Sequence, residues 1–495
     1  MINNKINNII SIIKNNIKIY NSLTNRKELF ISIHKDYIGI YVCGPTVYNH
    51  LHIGNIRTFI FFDVVFRYFK HLGYKVRYVR NITDVGHLER NVNKNKLEED
   101  KILKRSRIEG LEPMEIVQKY TISFHNILRI LNVLPPNIEP YATGHIIEQI
   151  EVIKKLISKK LAYVTNGSVY FDVKKYMKYY SYGILSKNKL DKLLKKKSPF
   201  IKEKKYYSDF CLWKKSNTNH IMNWQSPWSI GYPGWHIECT TMSIKYLGNI
   251  FDIHGGGIDL KFPHHECEIA QSTGICNDEN NFARYWIHVN MLTINGKKMS
   301  KSDTNKLILQ DLIEKYNISS NVFRFFVLKF HYRNILNFSI ENLINSKKSY
   351  NKLYRSIEKL DEFNVSKINN NKSPFDVFDW IYNCYNAIND DFNTPLLISY
   401  LFKITHITNS NFIMDKLSEI HLFFLKKYMK YFIFDILGFD KKNINEVDSY
   451  KKFEILVRNL ISFRNEMRVQ KNWIISDRIR DELNYIEIPV NDKKN

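Results

Sequence analysis

Apolar and polar positions change their period several times along the chain. Tyr37-Ile38-Gly39-Ile40-Tyr41-Val42 is an almost continuous apolar run of strand length, and Cys43-Gly44-Pro45-Thr46 turns the chain out of it. From about Asn55 the spacing of Ile56, Phe59, Ile60, Val64 and Phe66 is helical. Val76-Arg77-Tyr78-Val79-Arg80-Asn81-Ile82-Thr83-Asp84 then reads as a second strand with a polar end. These three segments form the start of a βαβ unit. In open parallel sheets ligands bind beyond the carboxyl ends of the strands, so Cys43, His52, Thr83 and Asp84 are expected near one another. Over 112–228 the pattern changes to helices and short hairpin strands, including Ala162-Tyr163-Val164 and Ser168-Val169-Tyr170-Phe171 around Asn166-Gly167. This stretch reads as an insertion within the fold that the βαβ unit begins, and its lysine-rich part, 187–205, as a solvated flap. Strand and loop signals return at Phe251-Asp252-Ile253-His254-Gly255-Gly256-Gly257. Beyond Asp311 the pattern is almost entirely helical, with no GxGxxG and no repeat.

A chain of 495 residues exceeds the size at which a single core stops growing, so two to four domains are expected. Its 44% hydrophobic content can fill such cores. No membrane span is expected, because the most apolar late stretch, 423–439, is interrupted by Lys426, Lys427, Lys430 and Asp435. A net charge of +25 fits a polyanionic partner such as nucleic acid, although lysine, asparagine and isoleucine are abundant everywhere, as in Asn369-Asn370-Asn371-Lys372. Six cysteines in so long a chain suggest a reducing compartment, the cytoplasm, rather than a disulfide framework. Residues 1–17 are low-complexity Asn/Ile/Lys without arginine or a small-residue cleavage pattern, and read as a disordered or loosely helical extension.

Two segments suit phosphate. His52-Ile53-Gly54-Asn55 lies at the strand-to-helix junction, where backbone N–H groups and the positive helix end favour anions. Lys298-Met299-Ser300-Lys301-Ser302 reads as a loop with enough cations and donors for a triphosphate. Singly, each has an ordinary explanation as a cap or a solvated connection. His264 and Glu268 are four apart, hence on one face of a helix, and Cys43 and Cys239 could add thiolates, a donor set that suits Zn²⁺. Spacing alone does not disclose that site, and each cysteine could equally be a small buried hydrophobe.

With Tyr41-Val42-Cys43-Gly44-Pro45-Thr46-Val47-Tyr48, Arg80-Asn81-Ile82-Thr83-Asp84, Pro233-Gly234-Trp235-His236-Ile237-Glu238-Cys239, residues 251–268, His331-Tyr332-Arg333 and Asp391-Phe392-Asn393-Thr394-Pro395 added in order, the chain resembles the cysteinyl-tRNA synthetases. This family belongs to the class I aminoacyl-tRNA synthetases, and the resemblance runs over about 18–489. It implies ATP-dependent activation of L-cysteine to cysteinyl-adenylate and transfer to tRNA(Cys). It implies one Zn²⁺ per chain on Cys43, Cys239, His264 and Glu268, and a cysteine pocket of Thr46, Thr83 and Trp235. An ATP site of His52, Gly54, Asn55, Gly255, Gly256, Gly257, Asp259, Lys298 and Lys301 follows, with Mg²⁺ accompanying the nucleotide; His52, Asn55, Lys298 and Lys301 are its catalytic groups. The implied fold class is α/β, a Rossmann-like parallel-sheet catalytic domain with an insertion, followed by a helical carboxyl-terminal region. Its expected parts are an extension at 1–17, catalytic halves at 18–111 and 229–310, a connective insertion at 112–228, and a linking helical subdomain at 311–345. A tRNA-binding helical bundle at 346–440 and a short anticodon-region domain at 441–495 follow. A monomer is expected.

One position departs from the wider class signature and one from the family. Asn55 stands where the wider class has a histidine, and Cys267 where the family usually has asparagine; Cys267, three after His264, is a rival thiolate, with a non-ligand role preferred. The chain ends shortly after Trp473, Asp477 and Arg480 without the family's tryptophan-containing tail, so no anticodon contacts are assigned. A related ligase that joins cysteine to an amino sugar shares the catalytic core, and the long helical region favours the tRNA enzyme. Both phosphate segments and all four metal positions argue against a catalytically inactive RNA-binding homologue.

Overall fold

The computed structural model describes residues 9, 11–35, 37–89, 99–187, 203–216, 222–278, 282–298, 308–363, 375–410, 414, 417–441 and 445–485. Its centre is a four-stranded parallel sheet. The elements that build it are β1 (Tyr37–Val42), α1 (Ile53–His71), β2 (Lys75–Arg80), α2 (Trp235–Leu247), β3 (Phe251–Gly257), α3 (His264–Cys276) and β4 (Ala283–Val289). The strand order is β4-β3-β1-β2, with Ile253 aligned to both Ile40 and Tyr285, and Ile40 to Tyr78. A parallel sheet is covered on both faces, which is why β1 reads as a run of apolar residues and buries all but its first. The chain winds outward from β1 to β2 on one side and from β3 to β4 on the other. The reversal between β1 and β3 opens a crevice beyond their carboxyl ends.

The βαβ expectation holds, with one change: β2 stops at Arg80, and Asn81 to Asp84 continue as a loop tied by isolated bridges of Thr46 to Thr83 and of Ile82 to Tyr141. β4 was not anticipated, because Arg284 and His288 interrupt its apolar pattern. The insertion contributes three strands to an antiparallel sheet in the order Gly231–Pro233, Phe210–Lys215, Ser168–Phe171, Ala162–Thr165, whose edge strand Gly231–Pro233 lies just past the expected boundary at 228. Its first hairpin turns on Asn166 and Gly167, both at positive φ (51° and 82°), the backbone that two-residue hairpin loops demand. Most of the lysine-rich stretch at 187–205 lies outside the described residues. Residues 11–17, expected as a loose extension, are packed instead: Ile13 and Ile17 are buried, and Asn389 Nδ2 donates to the Ile13 carbonyl at 2.8 Å.

Contacts divide the chain into two units, Met1–Phe439 and Asp440–Asn495. Within the first, buried charges join the sheet to the helical region. Asp63 of α1 accepts from Arg67 Nε at 2.8 Å, from the Leu134 amide at 2.9 Å and from Arg324 Nη2, while Arg324 donates onward to the carbonyls of Leu437 (2.6 Å) and Leu131 (2.9 Å). Asp391, buried and at φ 64°, accepts from the Tyr20 amide (2.8 Å), the Tyr332 hydroxyl (2.6 Å) and Arg333 Nε (2.6 Å). The Asp391-to-Pro395 segment is thus a structural hub. The second unit contains the helices Asn445–Val469 and Trp473–Tyr485, packed on each other. Among the described residues no helix is long and apolar enough to cross a membrane.

Candidate active site and metal cluster

At the end of β1 the chain must pass the end of β2 at close range, and Gly44 makes this possible: a Cβ there would overlap the Asn81 carbonyl. Asn81, fully buried, accepts from the Gly44 amide at 2.9 Å and donates to Thr83 Oγ1 at 3.0 Å. This fixes Cys43 facing α2 and α3. Cys43 Sγ lies 3.7 Å from Cys239 Sγ and 3.7 Å from Glu268 Oε1, and His264 Nε2 lies 3.0 Å from the same Glu268 oxygen. One ligand atom from each of Cys43, Cys239, His264 and Glu268 falls within 4.8 Å of the others, and all four residues are buried. His264 and Glu268 share a face of α3 because they are one turn apart.

A second, overlapping set was missed from the sequence: Cys43, Glu268, His254 and His265 meet the same distance test. His254 Nε2 is 2.9 Å from Glu268 Oε2, and His265 Nε2 is 3.4 Å from Cys43 Sγ while its Nδ1 meets His288 at 2.8 Å. The only available signal was the density of histidine over 254–265. Cys267 meets the Tyr182 hydroxyl at 3.5 Å and belongs to neither set.

The protein alone already arranges charge here. Burial raises the Cys43 thiol well above its ordinary range. For Cys239 burial acts in the same direction, but the Cys43 thiol and His264 outweigh it and bring the group down to about 6. Burial would likewise favour a neutral His264 and a protonated Glu268; their mutual attraction, with Cys239 and His254 contributing, instead holds the histidine near 10 and the carboxyl near 2. Burial keeps His265 well below the usual histidine range, hence neutral. Two anionic donors, one imidazole and a nearby thiol are a donor set for a soft-to-borderline divalent cation.

Trp235, at the start of α2, connects this cluster to the crevice. Its ring lies 4.5 Å from that of His264 and stacks at 4.0 Å on His87, whose Nδ1 is 2.6 Å from Thr46 Oγ1. Thr46, Trp235 and the cluster therefore form one continuous wall, with His87 as a member that sequence reading did not single out. Thr83 is buried and pairs with Thr46 through the backbone bridge. Asp84 turns toward the insertion, accepting from the Thr143 amide (3.0 Å) and hydroxyl (2.5 Å), and does not join the site.

His52 caps α1, its Nδ1 accepting from the Asn55 amide at 3.4 Å. Burial lowers its proton affinity, with Asp259 opposing from the other side of the crevice. No acidic residue occupies the first turn of α1, so the positive end of the helix is left for an external anion. Gly54 and Asn55 follow in that turn. Gly255 and Gly256 are explained by packing: a Cβ at 255 would overlap the Phe62 ring, and one at 256 would lie 2.9 Å from Leu260. Gly257 and the exposed Asp259 border the opening. Lys298 ends the strand Lys297–Lys298; Lys301, with the rest of its loop, lies outside the described residues.

Residues 29–348 match the family model described as the class I (C) tRNA synthetase catalytic domain. The chain is 47% identical to the cysteine–tRNA ligase of Azobacteroides pseudotrichonymphae genomovar. CFP2, over 97% of this chain and 98% of that protein. It is 45% identical to the cysteine–tRNA ligase of Bacteroides thetaiotaomicron, over 97% of each. Among solved structures, Mycobacterium tuberculosis methionyl-tRNA synthetase in complex with methionyl-adenylate matches at TM-score 0.55 and 11% identity, covering 81% of this chain and 92% of that one. An Agrobacterium radiobacter K84 leucyl-tRNA synthetase complex matches at TM-score 0.56 and 10% identity, covering 83% and 87%. These two likenesses concern the fold.

Proposed function

The chain belongs to the cysteine–tRNA ligase family of class I aminoacyl-tRNA synthetases, which activate L-cysteine with ATP and transfer it to tRNA(Cys), and we propose which of its residues perform each step. Cys43, Cys239, His264 and Glu268 hold one zinc ion. The observation that carries this is the convergence of four buried donors beside Trp235, at the wall of the crevice between β1 and β3. Zinc, when bound, supplies a soft Lewis-acid position that accepts a thiolate in preference to a hydroxyl. On the protein side Cys239 and Glu268 bring negative charge, His264 gives up its proton, and His254 orients Glu268 through the second carboxylate oxygen. Thr46, Thr83 and Trp235 line the cysteine pocket, with His87 holding Trp235 and Thr46 in place.

The amino-acid carboxylate attacks the α-phosphate of ATP, giving cysteinyl-adenylate and pyrophosphate. A terminal ribose hydroxyl of the tRNA then takes the cysteinyl group and AMP leaves. Neither step requires a side-chain nucleophile, so positioning and charge stabilisation carry the catalysis. His52, Gly54 and Asn55 at the start of α1, with Lys298 and Lys301, would hold the phosphates that Mg²⁺ accompanies; Gly257 and Asp259 would flank the nucleotide from the β3 side, with Gly255 and Gly256 buried behind them by packing. His52→Ala and Lys301→Ala are each expected to slow cysteine-dependent pyrophosphate exchange by on the order of 10² to 10³, because on this reading each removes a group that offsets charge growing in the transition state. Unchanged exchange in a folded variant removes that residue from the mechanism.

Residues 346–440 and 441–495 contact the tRNA, a reading that the basic charge supports, and six free cysteines support a reducing, cytoplasmic compartment; the protein acts as a monomer. Because Asn389, Asp391 and Leu437 are bonded into the catalytic unit, the informative truncation is after Phe439 rather than near Ser346. Removal of Asp440–Asn495 is expected to spare pyrophosphate exchange and abolish most tRNA charging. Equal loss of both would assign the segment to support of the catalytic unit. Charging of total tRNA with each of the twenty amino acids tests the overall function and separates it from a cysteine ligase acting on an amino sugar.

A further inference from the structure

Arg57 lies on α1 five residues after His52, with 1% of its surface exposed. Among the described residues its hydrogen bonds go to four backbone carbonyls and to no carboxylate: Nη1 donates to Asn290 (2.8 Å) and Met291 (3.0 Å), Nη2 to His331 (3.0 Å) and Asn334 (2.7 Å). The first two carbonyls belong to the chain as it leaves β4; the other two belong to the loop that precedes the strand Leu336–Phe338. Both stretches run directly into a three-stranded sheet in which Leu292–Ile294 pairs with Leu336–Phe338 on one side and with Lys297–Lys298 on the other. The stretches are also bonded to each other, the Asn290 amide to the Tyr332 carbonyl (2.8 Å), Asn290 Nδ2 to the Arg333 carbonyl (2.7 Å), and the Leu336 amide to the Met291 carbonyl (3.1 Å). A short chain of fixed contacts therefore joins the helix that begins at His52 to the strand that ends at Lys298.

We propose that Arg57 is the positioning residue that sets the backbone of the Lys297–Lys298 strand relative to the His52 end of α1. The chemistry of the side chain favours this over a purely structural filler. A buried cation without an anion is costly, and a planar guanidinium is the side chain whose two forked nitrogens can each reach two carbonyls; an ammonium concentrates its donors on one atom. Burial lowers Arg57 only to about 10, so it remains charged at neutral pH. The isolated antiparallel bridge between His52 and Ile308 provides a second tie of the same helix start to the chain beyond Lys298.

The inference rests on the reading of His52 and Lys298 as phosphate groups, and the test separates the two. Pyrophosphate exchange, KM for ATP and for cysteine, zinc content and thermal melting are measured on Arg57→Met, Arg57→Lys, Lys298→Ala and Arg324→Lys. Arg324 is a buried arginine of the same unit that meets α1 at Asp63, eleven positions along the chain from His52, and serves as the control for lost stability. Below its melting transition Arg57→Met is expected to keep zinc and its KM for cysteine while kcat falls by on the order of 10², the loss that a misplacement of about 1 Å produces. Arg57→Lys should recover part of it, and folded Arg324→Lys should melt earlier at unchanged kcat. Wild-type kcat in folded Arg57→Met, or parallel loss of zinc and of cysteine affinity, overturns the proposal. Should Arg57→Met not fold, Arg57→Lys decides, because an ammonium keeps the charge but not the two-nitrogen fork that reaches all four carbonyls: a smaller loss confined to kcat supports the proposal, and wild-type kcat overturns it. Full activity in Lys298→Ala would instead remove the underlying site reading, whatever Arg57 does.

Discussion

Cys239→Ser is expected to lose zinc and cysteine activation together. Cys239 Sγ sits 3.7 Å from Cys43 Sγ inside a fully buried cluster, so a serine hydroxyl placed there meets the same neighbours without a group that ionises near neutrality. The wild-type thiol is held down to about 6, chiefly because the Cys43 thiol and His264 overcome the effect of burial. Removing that anion leaves Glu268 to balance the metal with fewer charges. Since a bound metal supplies several kcal/mol of charge stabilisation, exchange should fall by on the order of 10³ or more. The same site predicts selectivity. An apolar pocket separates sulfur from oxygen by only about 1 to 3 kcal/mol, whereas a thiol with a pKa of about 8.5 ionises on zinc and an aliphatic hydroxyl does not. Wild-type protein should carry one tightly bound zinc per chain and reject serine at adenylation. A zinc-free, fully active preparation, or rapid serine-dependent exchange, would sink this account.

Asp63→Ala should be the most destabilising of the single substitutions considered. Its carboxylate is the anion for two buried guanidiniums, Arg67 and Arg324, and it also accepts from the Leu134 amide. Breaking a buried pair costs about 3–5 kcal/mol because the stranded charge has no water. Here two charges would be stranded, in a domain whose whole stability is about 5–15 kcal/mol. Urea unfolding should register that loss as a lower midpoint. A midpoint shift worth less than about 1 kcal/mol, the size of an ordinary exposed ion pair, would mean that backbone carbonyls, those of Leu131 and Leu437 for Arg324 and of Asn132 for Arg67, compensate both cations unaided.

The deepest part of the candidate site was legible only as a resemblance. The apolar run of β1, the helical spacing after Asn55, the Asn166-Gly167 turn and the turn of helix shared by His264 and Glu268 are short-range patterns, and each matches the fold. They are readable because the backbone bonds that create them span a few residues. β4 escaped because the exposed Arg284 and His288, which faces the cluster, break its pattern: the strand's chemistry overrode its period. Gly255 and Gly256 read as room for a nucleotide, while their packing against Phe62 and Leu260 depends on how α1 and the turn after β3 lie against the strand.

The sequence alone determined much of the alternation of strand and helix, the donor and cation types available at each segment, and, through its ordered matches, the family. Tertiary structure decided which groups meet. Cys43 and Cys239 are 196 positions apart and come together because β3 pairs with β1 across the whole insertion, a choice of strand order that no local period encodes. The same pairing sets Cys43 beside His254 and His265, which lie close to Glu268 in the chain, giving two overlapping donor sets where spacing suggested one pair. Arg57 likewise looks like an ordinary helix residue until the four carbonyls that surround it are in place, because a buried cation is explained only by partners that the fold delivers from elsewhere in the chain.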